Sequence, residues 1–263
     1  PTRAVGRFRE TFRKHSKFWH HLSIDSRDVE GANHKLFDRW KEQYGEDSDF
    51  FKVRCRGVFP NLSVRGLFPE SLVDQAMARV LKPENYNFAP VCLTCDPAWE
   101  GDDELVIAAR QGLKFVVLDR MPKNSNDVEV AQKLRRFEKM YEATMVNIDL
   151  GWGTGIYSAG KTMGAHWNLV SFSGKSPDPG YLNMRAYMHG QVLDWLQEGG
   201  AFDAGYDDLR EELLACETVP RLDGVIHLLP KDDMKQLIGR SPNVLDALAL
   251  SFAYTVPNRD DGS

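Results

Sequence analysis

Three aspartates stand where a carboxylate is hard to place without a partner. Asp96 closes the apolar run that begins at Ala89, and Asp149 closes a second one that begins at Thr144. Asp246 lies within Ser-Pro-Asn-Val-Leu-Asp-Ala-Leu-Ala-Leu, residues 241–250, among the apolar neighbours Val244, Leu245, Leu248 and Ala249. Carboxylates in such surroundings are seldom fully buried unless paired. Each acid also has a plain alternative role. Asp149 can cap the helix after it. Asp246 can complement the positive end of its own helix, worth a few tenths of a kcal/mol to ~1. Asp102, in the turn after Asp96, can simply form that turn. If these acids instead converge, they repel one another, and hard divalent cations, which take oxygen ligands, remove the repulsion. Two such ions roughly 3.5–4 Å apart can activate a water and stabilise the leaving oxygen of a phosphodiester. That chemistry needs no covalent nucleophile.

The surrounding elements determine whether the acids can meet. Residues 90–119 read as three consecutive antiparallel strands. The first ends at Asp96, its turn holds Pro97, Gly101, Asp102 and Asp103, and Gln111-Gly112 separates the second from the third. A helix is predicted over 126–142, with Val128, Ala131, Leu134, Phe137 and Tyr141 on one face. The Asp149 strand follows, then a turn over 151–155 and a helix to about Met163. A strand over 167–173, a loop over 174–180 and a helix over 181–198, closed by Gly199-Gly200, come next. A helix over 207–215 and a hairpin over 217–229 lead to the last helix, with Ser241 as N-cap and Pro242 in its first turn. This order predicts an α/β fold: an antiparallel three-strand meander joined to parallel strands, flanked by helices. Open sheets of this kind gather ligands at the carboxyl ends of their strands. If the first and fourth strands are neighbours, Asp96 and Asp149 lie side by side.

The 263 residues suffice for one large domain or two small ones. No apolar run reaches the length of a membrane span, and the polar, basic start is not a signal peptide. Four cysteines, Cys55, Cys92, Cys95 and Cys216, make no disulfide framework and point to a reducing compartment. A net charge of -5 argues mildly against a nucleic-acid partner. The charge is uneven, however. Arg3, Arg7, Arg9, Arg13, Lys14 and Lys17 face a single acid, Glu10, in the first 21 residues, and Lys133, Arg135, Arg136 and Lys139 form a second basic stretch. Basic edges that track phosphates around an acidic centre suit a nuclease; solvated faces account for the same pattern.

The segments Asp96-Pro-Ala-Trp-Glu-Gly-Asp-Asp-Glu, Asn147-Ile-Asp-Leu-Gly-Trp-Gly-Thr-Gly and Ser241-Pro-Asn-Val-Leu-Asp-Ala-Leu-Ala-Leu resemble the nuclease region of the large terminase subunits of tailed bacteriophages. The likeness covers roughly residues 50–254. It implies an RNase H-like fold and two-metal cleavage of double-stranded concatemeric DNA with Mg2+ or Mn2+. Asp96, Asp149 and Asp246 match its acidic triad, and Asp102 matches an auxiliary acid. Lys133, Arg135, Arg136, Lys161 and Lys231 are candidates to hold DNA phosphates. The resemblance implies the portal protein and the small terminase subunit as partners in a packaging motor, no membrane, and a place in the host bacterial cytoplasm.

Residues 1–60 resemble the end of the terminase ATPase domain. Within them, 18–25 and 50–59 read as strands and 33–44 as a helix, too little for an independent core. The predicted organisation is therefore an ATPase-domain remnant over 1–60, a linker with a helix from about Pro69 over 61–87, the nuclease domain over 88–255 and a tail over 256–263. The Walker motifs expected upstream of such a remnant are missing, so the chain reads as a piece of a longer protein or a degraded copy.

Other readings compete. Gly155-Ile-Tyr-Ser-Ala-Gly-Lys-Thr162 matches the phosphate-binding P-loop pattern letter for letter, but a P-loop begins directly after a strand, and the strand here ends near Asp149. Gly151-x-Gly153 hints at a dinucleotide loop, but the third glycine is misplaced and no suitable acid follows. Cys92 and Cys95, three apart on a strand, face opposite sides and suit core positions better than zinc. The single histidines, among them His166, His189 and His227, read as surface or core residues. An inactive remnant that docks DNA or the portal is the non-enzymatic rival.

Overall fold

The computed structural model describes residues 7–13, 15–59, 65–98, 103–122, 126–221 and 223–258. In chain order the regular elements begin with helices α1 (Arg7–Thr11), α2 (His34–Tyr44), α3 (Asp49–Arg54) and α4 (Glu70–Ala78). Strands β1 (Val91–Asp96), β2 (Leu105–Gln111) and β3 (Lys114–Met121) follow, then α5 (Asp127–Met140), β4 (Met145–Asp149), α6 (Leu150–Thr162) and β5 (Asn168–Val170). Helices α7 (Met184–Gln197), α8 (Asp207–Ala215), α9 (Lys231–Ile238) and α10 (Asn243–Leu250) complete the chain.

One five-stranded sheet organises the molecule, in the order β3-β2-β1-β4-β5. β1 pairs with β2, and β2 with β3, antiparallel; β4 runs parallel to both β1 and β5. The predicted meander and parallel strands are thus present. All six residues of β1 are buried, as a central strand covered on both faces must be. The β2–β3 hairpin turns through Gly112 and Leu113. Gly112 takes φ 52°, a conformation that glycine adopts at little cost. The pairing shifts between Ile107 and Ala108, so β3 carries an extra residue there and bends.

Alternation along the strands divides the core in two. Leu93, Cys95, Leu105, Ile107, Val146 and Ile148 join residues of α5 and α6 on one face. Val106, Ala108, Phe115 and Val117 join α4, α7, α8 and α10 on the other. Cys95 lies in the first core, while Cys92 faces away from it and meets Asn147 Nδ2 at 3.7 Å. All four cysteines are buried and unpaired with one another.

Several local predictions need correction. No described residue of 7–59 lies in a strand. Residues 50–59, read as a strand, begin as α3: Ser48 accepts a hydrogen bond from the Phe51 amide at 3.2 Å and caps the helix. Phe51 and Cys55, four apart, then pack with Phe37 of α2 as one helical face. The predicted turn over 151–155 is helix, because α6 begins directly after Asp149. The hairpin over 217–229 contains a single antiparallel bridge, Thr218 to Leu228, in place of regular strands. Pro242, not Ser241, is the N-cap of α10; the Ser241 hydroxyl instead donates to Asp103 Oδ1 at 2.6 Å. Among the described residues, no helix is long and apolar enough to cross a membrane.

Candidate metal centre

Strand geometry aims the first two acids. Leu93 and Cys95 point into the α5/α6 core, so Cys92, Thr94 and Asp96 point to the face covered by α10. On β4 the same alternation places Asn147 on that side, where its Nδ2 donates to Leu250 O at 3.0 Å, and Asp149 two residues on. The parallel register runs through Cys95 opposite Ile148. The next step along it sets Asp96 and Asp149 abreast at the carboxyl edge of the sheet. α10 packs across β1, β2 and β4 with all eight of its residues buried, and it contributes Asp246 from its first turn.

The electrostatics show that the three carboxylates sense one another. Burial raises the proton affinity of Asp96 well above the usual carboxylate range; the charges of Asp246 and Asp149 add to this, and Lys231 opposes it. Burial, then the charge of Asp246, pushes Asp149 up to about 6, against the backbone amides of Gly151 and Leu150. Burial alone would raise Asp246 as well, but Lys231, Arg185 and His189 together hold it below the ordinary value. Asp96 and Asp246 are 4 % and 2 % exposed, so water does little to screen these charges.

Lys231, predicted to hold a DNA phosphate, faces the acids instead. Its ammonium pairs with Asp246 Oδ2 at 2.7 Å, and the charges of Asp246, Asp96 and Asp149 raise its proton affinity against the opposing effect of burial. The Lys231 side chain as a whole is part-exposed, at 42%. α9 begins at this residue.

Two buried residues near Asp246 gave no signal in the sequence. His189, on α7, is fully buried with Nε2 3.7 Å from Asp246 Oδ1, and burial pushes its imidazole down to about 4. Glu212, on α8, accepts the Leu245 amide at 2.7 Å and pairs with Arg240, so it braces the start of α10 one residue before Asp246. Burial pushes Glu212 up to about 8. Asp103 receives Lys235 Nζ at 2.7 Å together with the Ser241 hydroxyl, which ties the strand turn to the approach to α10. A single histidine reads as core or surface, and Glu212, one of several acids on α8, reads as part of a solvated face until its neighbours are known.

The remaining predicted residues lie elsewhere. Asp102 falls outside the described residues. Lys133 pairs with Asp119, and Arg135 with Glu138, so both cationic ends are engaged within the chain. Arg136 and Lys161 are exposed. All four sit on α5 and α6, across the sheet from Asp246. The P-loop reading fails structurally: residues 155–162 form the body of α6 and not a loop. Its glycines serve packing, since a Cβ at Gly153 would run into Ile148 and one at Gly160 into Trp167.

The donor set suits a hard divalent cation: carboxylate oxygens, one of which, Asp246 Oδ1, is buried with no hydrogen-bond partner. Among the described residues, no three His, Cys, Asp or Glu side chains are yet disposed around a single ion position. The acids are joined through their charges, with the Lys231 ammonium among them.

No family model matches the chain, and no curated protein matches its sequence. Solved structures do match. The nuclease domain of the large terminase subunit gp2 of bacterial virus Sf6 is 18% identical with a TM-score of 0.57, covering 73% of this chain and 100% of that one. A K428A mutant of the same Sf6 domain, with manganese and beta-thujaplicinol, is 19% identical with a TM-score of 0.58, covering 73% and 100%. The large terminase nuclease from thermophilic phage G20c is 14% identical with a TM-score of 0.51, covering 72% and 98%. The mixed sheet and its flanking helices are therefore the RNase H-like fold of phage large-terminase nuclease domains.

Proposed function

We propose that the chain is a metal-dependent endonuclease that cuts double-stranded DNA, as the nuclease part of a phage packaging motor. The observation that carries this reading is the mutual electrostatic influence of Asp96, Asp149 and Asp246, two with raised proton affinity and the third tied to a lysine. Isolated structural acids have no reason to be brought together at such electrostatic cost. The likeness in fold to nuclease domains, one of them described with manganese, supports the same reading.

In this reading Asp96, Asp149 and Asp246 hold two Mg2+ or Mn2+ ions, which supply Lewis-acid assistance to phosphodiester hydrolysis. The chain's own residues do the rest. The strand ends fix two carboxylates in register, and α10, braced by Glu212, fixes the third. Burial keeps bulk water from screening Asp96 and Asp246. Lys231 neutralises Asp246 until a stronger cation competes for it. Arg136 and Lys161 are free to meet phosphates from the outer face, whereas Lys133 and Arg135 must first leave their carboxylate partners. Residues 88–255 form the nuclease unit, and the portal protein and small subunit complete the motor in the host cytoplasm.

The test is nicking of supercoiled plasmid in Mn2+. Wild type should cut, and Asp149→Ala should lose activity by a factor of about 100 or more, the scale on which removal of a key electrostatic group acts. Equal cleavage by both would expose a contaminant. DNA binding without cleavage by the wild type would favour the inactive docking remnant.

A further inference from the structure

The contact between His189 and Asp246 has a feature that hydrogen bonding alone does not reconcile. His189 Nδ1 lies 2.8 Å from the carbonyl oxygen of Arg185, one helical turn earlier. A carbonyl only accepts, so Nδ1 carries the proton and donates. In the neutral imidazole this leaves a bare lone pair on Nε2. That lone pair faces Asp246 Oδ1 at 3.7 Å, and a carboxylate oxygen is also an acceptor. Both atoms are buried and neither has a hydrogen-bond partner. The other oxygen of Asp246 is already taken by Lys231. Two buried acceptors aimed at each other, neither paired within the protein, are costly.

A proton shared between them would draw the atoms to roughly 2.7–2.9 Å, the length of a charge-assisted bond. At 3.7 Å the pair is too far apart for that. A metal ion accepts lone pairs from both sides, and neutral imidazole is a common metal ligand. Metal-bound histidines also tend to donate their other ring nitrogen to a backbone carbonyl, the arrangement that Arg185 provides here.

We propose that His189 Nε2 and Asp246 Oδ1 form a mixed nitrogen–oxygen seat for one of the divalent cations, which gives the centre a preference for Mn2+ over Mg2+. This rests on the metal-dependent reading above and adds to it a nitrogen ligand from α7. Mg2+ is a hard ion that favours oxygen, whereas transition-metal ions accept imidazole readily. Lys231 and His189 then divide Asp246 between them, the lysine on Oδ2 and the cation with His189 on Oδ1.

Pulsed electron paramagnetic resonance on the full chain loaded with Mn2+ tests this directly, because a directly bonded 14N leaves a hyperfine signature that oxygen does not. Wild type should show that coupling. His189→Asn retains a donor for the Arg185 carbonyl but has no atom at the Nε2 position. It should lose the coupling and weaken Mn2+ binding by calorimetry roughly 10-fold or more, with Mg2+ binding little changed. The wild-type spectrum decides the matter even if the variant folds poorly. Bound Mn2+ that supports cleavage without nitrogen coupling overturns the His189 seat and leaves the nuclease reading standing; water bridging the two acceptors would give that result. Absence of both Mn2+ binding and cleavage overturns the two together.

Discussion

At the scale of single residues, the centre is a balance of burial against charge. Asp149 shows the sign most clearly. Its folded-state affinity for a proton is raised to about 6, chiefly by burial, from an ordinary value near 3.8. A raised value means that the protonated form is the one the fold favours. The stability it contributes is fully present below pH 3.8 and is lost as pH rises through about 6. Asp149→Asn, neutral at every pH, should therefore match wild type near pH 3.8 and exceed it above pH 6, in EDTA. The gain should be on the order of 1–2 kcal/mol, a discount on the full shift because the side chain is part-exposed. For a chain of this length that amounts to several degrees in Tm. Wild type should recover the difference when Mn2+ is added at pH 7, since binding to the folded state stabilises it. Thermal melts across pH with and without metal check both parts, and a variant no more stable than wild type at pH 7 in EDTA would remove the argument for a strained carboxylate.

At the scale of elements, the sequence was legible where one residue pattern allowed a single structure. Asp96 and Asp149 could be placed because each ends an apolar run, and strand ends are defined by composition. Asp246 stood out because α10 is otherwise apolar. Lys231 was noticed but not placed beside the acids, because spacing cannot say towards which neighbours the first residue of a helix points. The stretch 50–59 misled because Phe51 and Cys55 satisfy helical spacing as well as alternation. The glycines of α6 misled because glycine serves both sharp turns and close packing, and tertiary contact decides between them. Gly160 makes that distinction measurable. Alanine there would gain up to ~1 kcal/mol of helix propensity, but its methyl would meet Trp167, whose indole is pinned by a 3.0 Å bond from Nε1 to Glu138. Overpacking of this kind typically costs ~1–3 kcal/mol. Gly160→Ala should therefore lower the unfolding free energy measured by urea titration by a net ~1–2 kcal/mol. A phosphate-cradling glycine would behave differently: stability unchanged and nucleotide binding lost.

At the scale of the whole molecule, the proposed nuclease reading requires a chain of net charge -5 to approach a polyanion. Three carboxylates at the sheet edge, two of them buried, make that approach worse, and the cations of α5 lie on the far side of the sheet, some already paired. On that reading the divalent ions take part in binding as well as in chemistry, by turning the acidic edge from repulsive to attractive. This separates the enzyme from the docking remnant. For the enzyme, affinity for a short DNA duplex, followed by fluorescence anisotropy at constant ionic strength, should rise roughly tenfold, or 1.4 kcal/mol, when Ca2+ replaces EDTA. The double variant Asp96→Asn with Asp149→Asn should bind more tightly than wild type in EDTA, because the repulsion is gone, and should gain nothing from Ca2+. A docking remnant would hold DNA through its outer cations alone. Its binding would then weaken with added monovalent salt but would not respond to Ca2+ or to removal of the two carboxylates.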